Sequence, residues 1–227
     1  MASDKHGTFA GSRILTVLSV LVALSGFSCV SAYQMPKELT DNVLQYPIEG
    51  RMEPVESSIL KTSAYRVRDI RSGLVSMSHA PGRDNAVLCQ LDYEYTFVHG
   101  LENSWITNCR MTAHVSTQSI LRQGLRCDFK PLAGKSWQLS MSGGKQNMAG
   151  QIQSSEFTNR IHMDDGDSAG VLISSQGLNI GGVSLNRPGF LRIAKGLGRE
   201  EVRSMAAVSL SLALFFDRFH PSGICSK

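Results

Sequence analysis

The chain has little of what marks a specialised protein. Aromatic residues are 7% and charged residues 19% of its 227 positions. The 23 Lys+Arg stand against 19 Asp+Glu, so the strongly basic footprint of a nucleic-acid binder is missing and no nucleic-acid partner is expected. Five cysteines are too few for a disulfide-scaffold mini-protein. At 42% apolar residues, disorder is excluded as the main state. No uncharged apolar run reaches the roughly 20 residues of a membrane-spanning helix.

Motifs that carry chemistry are equally scarce. There is no Gly-x-Ser-x-Gly elbow to present a serine nucleophile. Gly134-Lys135-Ser136 ends like a phosphate loop, but Phe129 occupies the place of that motif's first glycine, so Lys135 reads as a turn residue. The histidines after position 32 are His79, His99, His114, His162 and His220, and no two have the spacing of a helical zinc pair. Asp164-Asp165-Gly166-Asp167 could offer hard oxygens to calcium, but its spacing is not an EF-hand's and it reads as a solvated turn. His162 with Asp164 and Asp165 is the best enzymatic site on offer. A non-enzyme without cofactor or metal is the expectation.

What is present begins with an address. Lys5, His6 and Arg13 precede an uncharged apolar run from Ile14 to Phe27, and Val30-Ser31-Ala32 comes next with small residues suited to signal peptidase. Residues 1–32 therefore read as a secretory signal peptide cleaved near Ala32, giving a periplasmic or secreted protein. Lipid anchoring at Cys29 is the alternative, disfavoured because Gly26-Phe27-Ser28 is not a lipobox. Cleavage leaves Cys89, Cys109, Cys127 and Cys225, an even number in an oxidising compartment, and two disulfides are expected.

Residues 33–62 carry three prolines and no sustained period, and read as an irregular N-terminal arm. Residues 63–227 read as a single β-rich domain. Val87, Cys89, Leu91, Tyr93, Tyr95 and Phe97 alternate with polar neighbours, which predicts a half-buried strand. Trp105, Cys109, Met111, Ala113 and Val115 repeat the pattern, as do Leu121, Leu125, Cys127 and Phe129. Three antiparallel strands with one wet face are the economical reading. A loop centred on Gln118 sets Cys109 directly opposite Cys127, within disulfide reach. The preceding hairpin sets Cys89 opposite Ala113 or Val115, so Cys89–Cys225 is the residual pair. Short Gly-punctuated apolar pieces from Trp137 to Leu185 predict a meander of short strands.

The strongest signal lies near the C-terminus. Glu200 and Glu201 open a segment without Gly or Pro, and Met205 to Phe216 has no charge on any face. Such a helix must be surrounded, and it is too short for lipid. The fold class is therefore mainly β with one long C-terminal helix, an antiparallel closed barrel or sandwich enclosing the helix at about 200–218. Gly-punctuated strands closing on an apolar helix that ends Leu214-Phe215-Phe216-Asp217 resemble the tubby-like superfamily, which includes phospholipid scramblases and LURP-one-related proteins, over about residues 154–219. The resemblance implies a twelve-stranded barrel threaded by the helix.

Arg122, Arg126 and Lys130 share parity on one strand with Arg110 on its neighbour, forming the best basic patch, with Asp92, Glu94 and Asp128 near enough to neutralise it. Two functions are weighed. One is a non-catalytic exported protein whose partner is a lipid headgroup, a membrane surface or an envelope protein. The other is a carrier of a small apolar ligand in a lipocalin-like cavity; a secreted hydrolase ranks behind both.

Overall fold

A computed structural model describes residues 35–51, 60–79, 86–100, 103–116, 119–132, 134–144, 147–164, 170–186 and 188–225. The segment read as a signal peptide, with Cys29, lies outside these residues. Thirteen strands are present among the described residues: β1 (Val43–Ile48), β2 (Leu60–Thr62), β3 (Tyr65–Ser72), β4 (Ser76–His79), β5 (Val87–His99), β6 (Asn103–Val115), β7 (Ile120–Pro131), β8 (Trp137–Gly143), β9 (Met148–Gln153), β10 (Thr158–Asp164), β11 (Gly170–Ser175), β12 (Leu178–Ser184) and β13 (Gly189–Ala194). Helices α1 (Arg199–Arg218) and α2 (Pro221–Ile224) complete the chain order.

From β5 to β13 each strand pairs antiparallel with the next, β13 pairs with β1, and β5 pairs with β3, which pairs with β2. Among the described residues one bridge, Glu49 to Lys61, joins the two ends of this path, so the sheet is a nearly closed twelve-strand barrel. Closure removes most of the unpaired edge that an open sheet would leave. The segment expected as an irregular arm therefore holds β1 and β2, the two closing strands, together with a 3-10 turn at Lys37–Leu39. Strands this short, whose partners lie more than a hundred residues away in the case of β1, show no periodicity of their own.

The alternating pattern of the three long strands is borne out. Cys89, Leu91, Tyr93, Tyr95 and Phe97 are buried, and so are Trp105, Cys109, Met111 and Ala113. Leu121 is a correction: it is 42% exposed. Val115 faces Ile120 while His114 faces Arg122, so Leu121 is the extra residue of a bulge and is turned out of the apolar row. The hairpin register also holds. Cys109 faces Cys127, and the two form a disulfide with Cα atoms 4.1 Å apart. Cys89 faces Ala113 and is bonded to Cys225. That second bond ties the tail beyond α1 to the wall, where Phe219 also stacks on Tyr93 at 4.1 Å.

Helix α1 fills the barrel. Every residue from Ser204 to Phe215 is buried. Its start is fixed by the Glu201 carboxylate, which accepts the Gly198 N–H at 3.0 Å, half of a capping box. Three buried serines are satisfied without outside help: Ser204, Ser209 and Ser211 donate to the carbonyls of Glu201, Ala206 and Ala207. Because Ser211 donates inward, it accepts from the Tyr95 hydroxyl at 2.6 Å, which pins the helix to β5. Close approach of the wall is eased at Gly181, where a Cβ would meet the Met205 sulfur and crowd the Arg192 carbonyl.

The lower end of α1 is held by ions. Arg51 gives Asp217 two hydrogen bonds, at 2.6 and 2.7 Å, and a third to the Leu185 carbonyl at 2.7 Å. The Arg51 and Asp217 side chains are 4% and 8% exposed. This buried fork joins the end of β1, the β12–β13 connection and the helix.

Candidate functional site

With the interior occupied, a recess of about 560 Å³ lies on the outer face of β3, β5, β6 and β7. Even-numbered positions of β5, β6 and β7 point outward here, because their odd-numbered neighbours fill the core. Two cross-strand rows cross its floor and run on into β8 beyond its rim. One runs Arg71, Glu94, Asn108, Asp128, Gln138; the other runs Asp92, Arg110, Arg126, Ser140.

The rows are not equally compensated. Arg110 makes a two-pronged bond to Asp92, at 2.7 and 3.1 Å, and that bond holds its pKa above the usual guanidinium range. Arg126 faces Arg110 directly, an arrangement that works against sheet stability. Its carboxylate neighbour Asp128 is 3.9 Å away and takes a 2.6 Å hydrogen bond from Gln138 instead. Arg71 lies 3.6 Å from Glu94. The recess thus holds three guanidinium groups and three carboxylates, with the Arg71 and Arg126 heads loosely paired and solvent-exposed.

Of the four basic residues read from sequence, Arg110 and Arg126 lie in this recess. Arg122, opposite His114, is displaced toward the β6–β7 turn, and Lys130, opposite Ile106, borders a separate depression of about 310 Å³ beside Gln138 and Ser154. The pattern missed Arg71. Its odd number puts it on the wrong parity, and only the register shift between Arg68 and Arg71 brings it to the outer face. Asp69 carries a φ of 54° within that shift, a backbone state no alternation rule anticipates.

The remaining candidates stand apart. His162 is exposed on the outside of β10, and the Asp165 to Asp167 turn lies outside the described residues. Among the described residues no group of three His, Cys, Asp or Glu is placed to hold a metal ion. Lys135 makes an ion pair with Glu156 across neighbouring loops. Both disulfides agree with an oxidising compartment. Comparison of the chain with protein-family models, curated proteins and solved structures gave no match.

Proposed function

We propose that this chain is an exported, non-catalytic binding protein of the tubby-like type, which uses the outer recess of β3, β5, β6 and β7 to hold a charged headgroup of a lipid or another envelope component. The observation that carries this reading is the Arg110–Arg126 juxtaposition, which costs the sheet stability, while Arg126 has only a loose pairing to Asp128 at 3.9 Å. An anionic oxygen set between these two cations would relieve the repulsion and accept charge-assisted hydrogen bonds. Glu94 and Asp128 in the adjoining row suit an ammonium, so the recess matches a zwitterionic group better than a purely acidic one. Export is supported by the signal-like N-terminus and the two disulfides. The carrier alternative loses ground because α1 occupies the volume a guest would need.

The test is flotation of the disulfide-bonded protein with phosphatidylcholine and with phosphatidylglycerol vesicles. Wild type is expected to float with the zwitterionic vesicles. Arg126→Glu is expected to reduce binding several-fold, and Arg122→Glu, outside the recess, to leave it unchanged. Indifference of wild type to both membranes, or equal loss in both variants, would overturn the lipid reading.

A further inference from the structure

Ile106 breaks the pattern of its strand. The outward positions of β6 are Ser104, Ile106, Asn108, Arg110, Thr112 and His114; Ile106 alone among them is apolar, and it is 49% exposed. Its cross-strand row runs Arg68, Thr96, Ile106, Lys130, next to the recess row of Arg71, Glu94, Asn108 and Asp128. Leu132, 80% exposed, carries the β7 register one step further by donating its N–H to the Ser104 carbonyl at 3.5 Å. Ile106 therefore stands opposite Lys130 and diagonal to Leu132, positions within side-chain reach on a sheet.

Cations edge this apolar pair. Lys130 and Arg68 lie in the row of Ile106, and Arg66 lies in the row of Ser104. Among the described residues Lys130 and Arg66 have no ion pair; Arg66 gives a hydrogen bond to the Gly100 carbonyl at 3.4 Å, and Arg68 meets the exposed Asp69 at 3.4 Å. The recess balances three guanidinium groups with three carboxylates. Positive excess is thus concentrated on the ledge beside it. Neither apolar side chain serves the core, which lies on the other face of the sheet. Protein interfaces deplete charge at their centre, yet here Lys130 adjoins both apolar groups. A bilayer surface accepts the combination, since its acyl boundary takes the apolar groups while lysine and arginine heads reach back to the phosphates.

Building on the headgroup reading of the recess, we propose that Leu132 and Ile106 insert into the surface of a bilayer containing anionic lipid, with Lys130, Arg68 and Arg66 on its phosphates. That pose sets the recess at headgroup depth, because its Asn108–Asp128 row is the next one along the wall. The bilayer then supplies two lipids, an anionic one to the ledge and a zwitterionic one to the recess.

The test is flotation of the disulfide-bonded chain, at low salt, with pure phosphatidylcholine vesicles and with mixed phosphatidylcholine–phosphatidylglycerol vesicles. Wild type is expected to bind the mixed vesicles more tightly. Lys130→Gln should lose about fivefold on the mixed vesicles, the usual worth of one cation at an anionic surface, and nothing on the pure ones. Leu132→Asp and Ile106→Asp should each lose about tenfold or more on both, as burial of a large aliphatic side chain implies. Leu121→Asp, exposed at the other end of β7, should bind like wild type. Circular dichroism melting checks that each variant folds, and Leu132→Ser and Ile106→Ser replace any aspartate variant that does not. Calorimetric titration with soluble glycerophosphocholine reads the recess by itself: Arg126→Glu should weaken it and Leu132→Asp should not. If glycerophosphocholine fails to bind while flotation still depends on Leu132 and Lys130, the ledge is supported and the recess reading falls. Leu132→Asp floating like wild type, Leu121→Asp losing as much as Leu132→Asp, no preference for the mixed vesicles, or no flotation at all would each overturn the proposal.

Discussion

The buried fork between Arg51 and Asp217 should be the most sensitive polar contact in the molecule. Both side chains are nearly inaccessible, and the pair is made by two hydrogen bonds at 2.6 and 2.7 Å across a separation of 166 residues. Removing one partner of such a buried pair typically costs about 3–5 kcal/mol. For a domain of this size each kcal/mol lowers the melting temperature by about 2–4 °C. Arg51→Met should therefore melt about 6–20 °C below wild type, and Asp217→Asn should fall in the same range. The double variant Arg51→Met/Asp217→Leu removes both charges and should regain most of the loss, because an apolar replacement of a buried pair is often neutral. Lys61 and Glu49, 2.8 Å apart but half exposed, make the contrast: Lys61→Ala should change stability by less than about 1 kcal/mol. The assay is guanidinium unfolding at pH 7 with disulfides intact, followed by circular dichroism and by the fluorescence of the buried Trp105 and Trp137. The reasoning fails if Arg51→Met stays within about 1 kcal/mol of wild type, or if the double variant is as unstable as the two single losses added together.

The disulfides and His99 give two further expected outcomes. Cys89–Cys225 spans 136 residues and Cys109–Cys127 spans 18, so replacing both cysteines of the first pair should cost about 5 kcal/mol and of the second about 3 on the chain-entropy account; equal losses in denaturant titrations would contradict that account. Burial, together with the Arg203 and Arg199 cations, lowers the pKa of His99, so its unfolded form binds more protons in mild acid. Its contribution to stability is complete above the ordinary value near pH 6.5 and is lost as pH falls through the lower folded value. Urea midpoints at pH 8 and pH 5 should differ more for wild type than for His99→Gln, and parallel changes would remove His99 as the cause.

Part of this architecture was legible because it is local. The face that Leu91, Tyr93 and Tyr95 bury can be read from alternation, since the two sides of one sheet meet different surroundings. The Cys109–Cys127 bond can be read from hairpin register, which a short turn fixes within a few residues. The dry face all round Met205 to Phe215 required enclosure whatever the enclosing wall was. Where a bulge intervened, the same logic failed: Leu121 left the apolar row and Arg71 joined the charged one, because each register shift reverses the parity of the strand residues beyond it.

By itself, then, the sequence determined a β-rich domain with a surrounded helix, one disulfide in register and two of the three arginines of the outer recess. Tertiary structure alone decided that β1 and β2 close the wall and that Arg51 meets Asp217. The physical reason is reach. Periodicity reports how a segment meets an inside and an outside, whereas the partner of β1 and the counter-ion of Arg51 depend on which distant segment arrives there, and no local pattern carries that information.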